Sequence, residues 1–191
     1  MARRYTDEVK GLINTLLPNN SAGAISPEDV RSVLTDIIDS LRPAWAAIRA
    51  EHSAAPEAFA TTNQWQTVLS PTMWTTGGNS DPLEFLASPP IGALVVKYAY
   101  FNHVLRANLN FEGAVNVEYQ FSIAANGIPL GGLSSVDGAG NGRIVQASDW
   151  ALAWDAADTQ YSVMVRSPSG NSTIHIHQID LYGELATTRY P

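Results

Sequence analysis

Two histidines separated by one residue are the most direct candidates for ligand chemistry in this sequence. His175 and His177 fall within a run of β-forming residues, so both rings are expected on the same face of a strand. Imidazole pairs of this kind bind transition metals. The pair occurs once and has no carboxylate triad beside it. The expected role is therefore a solvent-facing or interface pair, and the sequence predicts no metal or other cofactor.

The groups that could act as catalysts fit no catalytic motif. Asp149, Asp155 and Asp158 lie near glycine-rich stretches, with Asp137 upstream, but they form neither an Asp-X-Asp-X-Asp-Gly calcium loop nor a paired-carboxylate motif. Ser134 and Ser135 lack the Gly-X-Ser-X-Gly elbow of serine hydrolases. A polysaccharide hydrolase would need an acidic pair. The sequence therefore predicts no catalytic residue and a function that is not enzymatic.

Tryptophans supply a third kind of site. Exposed aromatic rings stack on sugars, whereas in small β domains they more often fill cores and interfaces. Trp150 and Trp154 are the best candidates of this type, either as interface residues or as contacts to a glycan.

Composition limits the possible partners. The chain has 191 residues, of which 45% are hydrophobic and only 15% charged, so much neutral or apolar surface must be covered, most simply by copies of the same chain. A formal charge of -7 argues against a nucleic-acid partner. No apolar stretch is long enough for a membrane span or a secretory signal. With no cysteine, stability must come from packing and oligomerisation.

Residues 1–51 are expected to form a helical arm. The pattern predicts helices over residues 6–17 and 27–50, the second capped by Ser26 and kinked near Pro43. Apolar residues in this second helix follow the spacing of a bundle seam. The predicted anchoring or oligomer-interface residues are Val30, Leu34, Ile37, Leu41 and, just beyond the kink, Trp45. The alternative is that the arm folds back on its own β domain. Residues 52–63 are predicted to form a linker.

Residues 64–191 are expected to form an antiparallel β-sandwich or jelly roll, so the fold class is mainly β with a preceding helical arm. Short β-rich runs alternate with turn residues, and no helical period separates them. The predicted core residues are Phe121, Ile123, Ile174 and Ile176. The predicted strands are Trp65 to Leu69, Ile91 to Tyr98, His103 to Phe111, Asn116 to Ala124, Arg143 to Ala147, Ala151 to Trp154, Tyr161 to Arg166 and Thr173 to Glu184.

The β segments resemble a known family. They resemble the trimeric tumour-necrosis-factor-like jelly rolls of bacteriophage virion proteins. The resemblance is carried by the stretch from Tyr119 to Leu130, the glycine-rich loop and strand that follow it, and the strands that begin at Tyr161 and Ile174. The segment from Ile25 to Ser40 is similar to the helix that precedes such domains in phage fibre and decoration proteins.

The resemblance implies a homotrimeric structural protein of a virus particle, assembled in the bacterial cytoplasm. The leading hypothesis is a capsid decoration, cement or head-spike protein whose partners are itself and the major capsid protein or another virion protein. The alternative is a trimeric tail-fibre or receptor-binding module that recognises host glycans. If the arm anchors the protein, deletion of residues 1–50 is expected to leave a folded β trimer that no longer joins particles.

Overall fold

A computed structural model of the chain describes residues 11, 15, 26–41, 45–51, 55–68, 75–79, 85–88, 92–97, 100–131, 134–155 and 157–184. The elements are α1 (Pro27–Leu41), β1 (Trp45–Glu51), β2 (Glu57–Thr61), β3 (Gln66–Thr67), β4 (Thr75–Asn79), β5 (Phe85–Ser88), β6 (Ala93–Val96), β7 (Tyr100–Glu112), β8 (Glu118–Ala125), β9 (Ile128–Pro129), β10 (Ser134–Asp137), β11 (Ile144–Asp155), β12 (Gln160–Arg166) and β13 (Ser172–Glu184). Of the predicted first helix, Gly11 and Thr15 are helical, and the rest lies outside the described residues.

The strands form two antiparallel sheets. Among the described residues, sheet A has six strands in the order β11-β7-β13-β1-β4, with β2 paired to β13. Sheet B, counted over the same residues, has seven strands in the order β10-β8-β12-β6-β5, with β3 paired to β12 and β9 paired to β8. Neighbours in sheet A come from distant parts of the chain, and in sheet B β12 likewise pairs with the distant strands β3, β6 and β8, as in a jelly roll. The predicted fold class, an antiparallel β-sandwich preceded by a helix, is confirmed.

The hydrophobic core lies between the sheets. The four predicted core residues are buried, with Ile123, Ile174 and Ile176 at 0% and Phe121 at 1% exposure. A buried hydrogen bond between His103 of β7 and Tyr161 of β12 joins sheet A to sheet B within this core. This bond satisfies the Tyr161 hydroxyl and Nε2 of His103, which lowers the cost of burying both groups.

The predicted helix over 27–50 is wrong beyond Leu41, because Trp45–Glu51 is a strand of sheet A. It pairs with β13 from Trp45↔Glu184 to Glu51↔Gln178 and also with β4. Ala46, Ile48 and Ala50 alternate with outward residues and are at most 1% exposed. Alanine favours helices, but burial between two partner strands outweighs that local preference. The helix ends two residues before Pro43, which disfavours a helical conformation in the preceding residue.

The predicted linker over 52–63 is also wrong in part. Glu57–Thr61 forms β2, which pairs with the first half of β13 from Ser172↔Thr61 to Ile176↔Glu57. Strands β1 and β2 therefore lie end to end along one edge of β13, and both belong to the sandwich. The small, polar composition that indicated a linker is compatible with a strand whose partner supplies the hydrogen bonds.

Two strands near the end of the chain differ from their predicted form. The predicted strands Arg143 to Ala147 and Ala151 to Trp154 are parts of one strand, β11, which pairs with β7 along almost its whole length. In β13 the register with β7 shifts between Ile176 and Gln178. This bulge changes which residues face inward, from Ile174 and Ile176 before it to Ile179 and Leu181 after it.

Helix α1 is preceded by Ser26, the N-cap that the sequence predicts, and the structure shows that this cap is reciprocal. The Ser26 hydroxyl accepts from the Asp29 amide at 3.1 Å, and the Asp29 carboxylate accepts from the Ser26 amide at 2.9 Å. The Ser26 hydroxyl also donates to that carboxylate at 2.7 Å. These hydrogen bonds lower the pKa of Asp29, because they stabilise the ionised form. None of the described helical residues belongs to a helix long and apolar enough to cross a membrane.

Candidate functional site

The outer face of sheet A carries the most distinctive surface among the described residues. Alternation along each strand turns one set of side chains toward the core and the other toward the outside. The outward set divides into two regions. The apolar half is formed mainly by Trp45, Val104, Trp150, Leu152 and Tyr182, with the charged side chains of Arg106 and Glu184 between them, and the polar half includes Arg49, Glu51, Asn110, Glu112, His175, His177, Gln178 and Asp180.

The apolar half runs from the edge of the sheet to its middle. On the edge strand β11, Trp150 and Leu152 are each 65% exposed. Leu152 pairs across to Val104 of β7, which in turn pairs with Glu184 of β13. Ile144, 55% exposed, continues the outward row of β11 toward the other end of the strand. The polar Gln146 and Ser148 separate Ile144 from Trp150, so the neighbouring pair of exposed apolar residues on this sheet edge, Trp150 and Leu152, indicates a contact surface.

In the middle of the sheet, two aromatic rings extend this surface. Trp45 stacks on Tyr182 with ring centroids 6.2 Å apart and an interplanar angle of 23°. Gly78 of β4, with φ of 107°, allows the close approach, because a Cβ there would lie 3.1 Å from the Trp45 ring. Partial burial, followed by the charge of Glu184, raises the pKa of Tyr182. The phenol therefore stays protonated and donates to Glu184 at 3.3 Å.

Five side chains of the polar half, those of Arg49, Glu51, Asp180, Gln178 and Asn110, form one connected set. Arg49 contacts Asp180 at 3.2 Å and Glu51 at 3.3 Å. Gln178 donates to Asp180 at 2.7 Å and accepts from Asn110 at 3.3 Å. Exposed ion pairs of this kind add little to stability because water screens them. Their effect is to hold the side chains in a fixed pattern, which contributes specificity to any contact made by this face.

The two histidines predicted as a pair have different neighbours. His177 lies at the β13 bulge, and its Nε2 is 2.6 Å from the Glu112 carboxylate. His175 is exposed and lines a cleft of about 300 Å³ with Glu112, Thr173 and the turn around Asn141. Within the described part of the chain, no group of three or more histidines and carboxylates is placed to hold a metal ion. An interface or solvent role for the pair stays a prediction.

Asp149 of β11 joins the edge of sheet A to sheet B. One carboxylate oxygen accepts from the Ile123 amide of β8 at 2.9 Å, and the other accepts from the Trp150 amide at 2.8 Å. Burial raises the pKa of Asp149, although these hydrogen bonds act in the opposite direction. The carboxylate therefore has a structural role beside Trp150, since it satisfies a backbone group of β8 and fixes the edge of the sandwich.

The structure brings together only some of the predicted interface residues. Trp45 and Trp150 share the apolar half, although the sequence placed Trp45 on the helical arm. Val30 and Leu34 lie on α1 and are 38% and 52% exposed. The side chains of Ile37, Leu41 and Trp154 lie outside what the structure describes.

The sequence interpretation did not identify Leu152 and Tyr182 as part of the surface. The signal for Leu152 was the alternation of large residues with alanine from Trp150 to Trp154, which places the large side chains on one face of a continuous strand. Nothing in the local pattern identifies Tyr182, because its role depends on Trp45 of the neighbouring strand.

The fold has counterparts among solved structures, whereas the sequence matches no protein-family model and no curated protein. The globular domain of zebrafish complement 1qA is 9% identical, with a TM-score of 0.52 over 78% of this chain and 99% of that one. Eiger, a TNF from S. frugiperda, is 10% identical, with a TM-score of 0.49 over 78% of this chain and 98% of that one. Murine APRIL at pH 5.0 is 7% identical, with a TM-score of 0.46 over 74% of this chain and 99% of that one.

At these identities the similarity concerns the fold alone. The zebrafish domain supports the predicted jelly-roll architecture. The solved structures named here are not virus proteins, so a role in a virus particle depends on other arguments.

Proposed function

We propose that this chain is a structural protein of a bacteriophage particle, a homotrimer that decorates or cements the capsid or forms the base of a head spike. The observation that carries the proposal is the apolar half of the outer face of sheet A. Trp150 and Leu152 each leave 65% of their surface exposed in the single chain. Burying such residues against another copy contributes about 25 cal/mol per Å² of apolar area, which favours association.

The position of these residues favours a ring of copies over a two-fold dimer. Trp150 and Leu152 lie on the edge strand, whereas Trp45 and Tyr182 lie toward the middle of the same face. A contact between the edge of one copy and the middle of the next joins two different surfaces. Such a contact repeats from copy to copy and forms a ring where the rotation closes, and we propose closure after three copies, which gives a trimer. Trimeric association is also what the sequence resemblance to virion jelly rolls implies.

The role in a virus particle is supported by the combination of elements. A capped helix precedes the sandwich, and the segment from Ile25 to Ser40 is similar to helices that precede jelly rolls in phage decoration and fibre proteins. We propose that this arm attaches the trimer to the capsid protein or another virion protein. The polar side chains of sheet A are bonded to one another, which suits a static contact surface, and the proposed function involves no catalysis.

Two measurements test the proposal. Sedimentation equilibrium of the purified chain is expected to give three times the 20.6 kDa chain mass. Electron cryomicroscopy of particles produced with this chain is expected to show a three-fold projection on the shell. A chain that begins at Arg42 retains all strands and is expected to trimerise without joining particles. Its continued incorporation would exclude the arm as the attachment element, and a monomer mass would exclude the trimer.

The exposure of Trp150 also supports a second candidate, a receptor-binding module that stacks this ring on a host glycan. A glycan array with the intact protein separates the two candidates. Selective binding that is lost in Trp150→Ser while the trimer persists would favour the receptor-binding module. No selective binding, together with incorporation into the shell, favours decoration.

A further inference from the structure

We infer that α1 associates with the same helix from two further copies in a parallel three-helix bundle. The inference rests on the proposed trimer and deepens it, because it names the partner of the exposed helix seam. Attachment to the particle is then left to the outward face of the bundle and to the residues that precede Ser26.

The sequence of α1 has a bundle register. Val30, Leu34, Ile37 and Leu41 are spaced by four, three and four residues, which corresponds to heptad positions d, a, d and a. The four acidic residues fall at positions b, c and f, on the side away from the seam, and are Glu28, Asp29, Asp36 and Asp39. Three helices can therefore bring their seams together without bringing carboxylates into contact.

The residue types at the seam favour more than two helices. Leucine occupies both a positions, and β-branched residues occupy both d positions. Leucine at a with isoleucine at d shifts the preference from dimers to trimers and tetramers. Val33 and Ile38 at the flanking g and e positions widen the apolar stripe, which again suits a bundle with more than two members.

The structure leaves the described first half of this seam, Val30 and Leu34, exposed in the single chain. Val30 is 38% exposed and Leu34 is 52% exposed, whereas the flanking Val33 is only 3% exposed. No described strand packs extensively against α1. Helix α1 therefore has Val33 covered while the first half of its seam faces outward. The equivalent seam of another copy can bury these residues.

The connection to the sandwich places the three helices together. Strand β1 begins at Trp45, four residues after the last helical residue, Leu41, and Trp45 belongs to the apolar half proposed as the trimer contact. Four residues span at most about 14 Å. A helix of 15 residues is only marginally stable alone. Short tethering to a trimer raises the effective concentration of the helices to about the millimolar range, which compensates for the short seam.

The absence of cysteine from the sequence allows a clean cross-linking test. Val30→Cys places one thiol per chain at a seam position near the start of the helix, and Ser32→Cys places it at the exposed f position as a matched control. Under mild oxidation of the full chain, a parallel bundle brings copies of residue 30 together. One disulfide forms per trimer, so about two thirds of the Val30→Cys chains are expected as covalent dimers. The control is expected to stay almost entirely monomeric on the same gel.

A second pair of variants tests the same seam without cysteine. Leu34→Asp puts a charge into the seam, whereas Ser32→Asp adds the same charge on the outward face. Leu34→Asp is expected to lower the helical signal in circular dichroism, and Ser32→Asp to leave it unchanged. A trimer mass with equal cross-linking in Val30→Cys and Ser32→Cys would overturn the bundle and leave the proposed trimer intact. A monomer mass would overturn the proposed trimer itself.

Discussion

The contact role of the apolar half leads to a quantitative prediction for Trp150. Replacing this residue by serine is expected to weaken trimer formation without weakening the fold of the single chain. The side chain is 65% exposed and its neighbours Asp149 and Ala151 supply the inward contacts of the strand, so its removal leaves the core unchanged.

The magnitude follows from the exposed area. A tryptophan side chain buries up to about 250 Å². At 65% exposure, about 160 Å² is available to a partner, which at about 25 cal/mol per Å² corresponds to an upper limit of about 4 kcal/mol. Incomplete burial reduces this value, and about 2 to 4 kcal/mol per contact is typical of an aromatic hot spot. Each contact is then weakened about 30-fold to 1,000-fold. A closed trimer contains three such contacts, and all of them lose this energy.

Sedimentation velocity over a concentration series measures the effect, and thermal unfolding of the monomer monitors the fold. Ile128→Ser is the matched control, because Ile128 is 70% exposed but lies on β9 of sheet B. Leu152→Ser is expected to act in the same direction as Trp150→Ser with a smaller effect, about 1 to 2 kcal/mol per contact.

Two results would refute the reasoning. If Trp150→Ser and Ile128→Ser changed association by the same amount, general surface hydrophobicity would explain the effect, and the apolar half would not be the contact. If Trp150→Ser remained a trimer at concentrations where the unchanged protein begins to dissociate, the outer face of sheet A would not contribute to association.

Three further predictions follow from single features of the fold. A chain that begins at Arg42 is expected to keep the β signal in circular dichroism, whereas removal of residues 1–51 deletes β1 and is expected to unfold the sandwich. The pKa of Asp149 is raised in the folded state, so Asp149 of the unfolded chain loses its proton first as the pH rises above 3.8. Urea unfolding is therefore expected to show that the unchanged protein loses stability relative to Asp149→Asn as the pH rises above 3.8. A loss of relative stability on acidification would contradict burial as the cause of the raised pKa. Gly138→Ala is expected to destabilise the sandwich by about 1 to 3 kcal/mol in the same assay, because its Cβ would lie 2.2 Å from the Ala114 carbonyl oxygen. Gly11→Ala, at a helical glycine where a Cβ would meet nothing within 4 Å, is the matched control and is expected to leave the stability of the sandwich unchanged.

The corrected boundary of the arm shows how local patterns mislead. The residues of β1 are rich in alanine and place Ile48 at a position that continues the helical seam. The same residues also alternate with period two, and both patterns fit a segment this short. Pairing with β13 and β4 decides between them, and neither partner is close in the sequence. Deletion of residues 1–50, which appeared to separate the arm from the sandwich, would therefore remove a central strand.

Local sequence patterns also could not predict which aromatic residues share the outer face of sheet A. Trp45 and Trp150 were separate candidates in the sequence, on an arm and on a late strand. They share a face because β1, β13, β7 and β11 are successive neighbours in one sheet. Tyr182 joins them only through the register that pairs Trp45 with Glu184. Strand order and register depend on contacts across the whole chain, so no local pattern contains them.

The sequence alone determined the features that depend on neighbours within a few residues. These are the cap at Ser26, the heptad spacing of α1, the strand character of the later segments and the inward positions of Phe121 and Ile174, because backbone geometry fixes which nearby residues share a face. The tertiary structure decided where the helix ends, that β1 and β2 belong to the sandwich, and which aromatic residues form one surface. Those outcomes depend on the burial and pairing of segments far apart in the chain, because the free energy gained by burial and strand pairing outweighs the local preference for helix or loop.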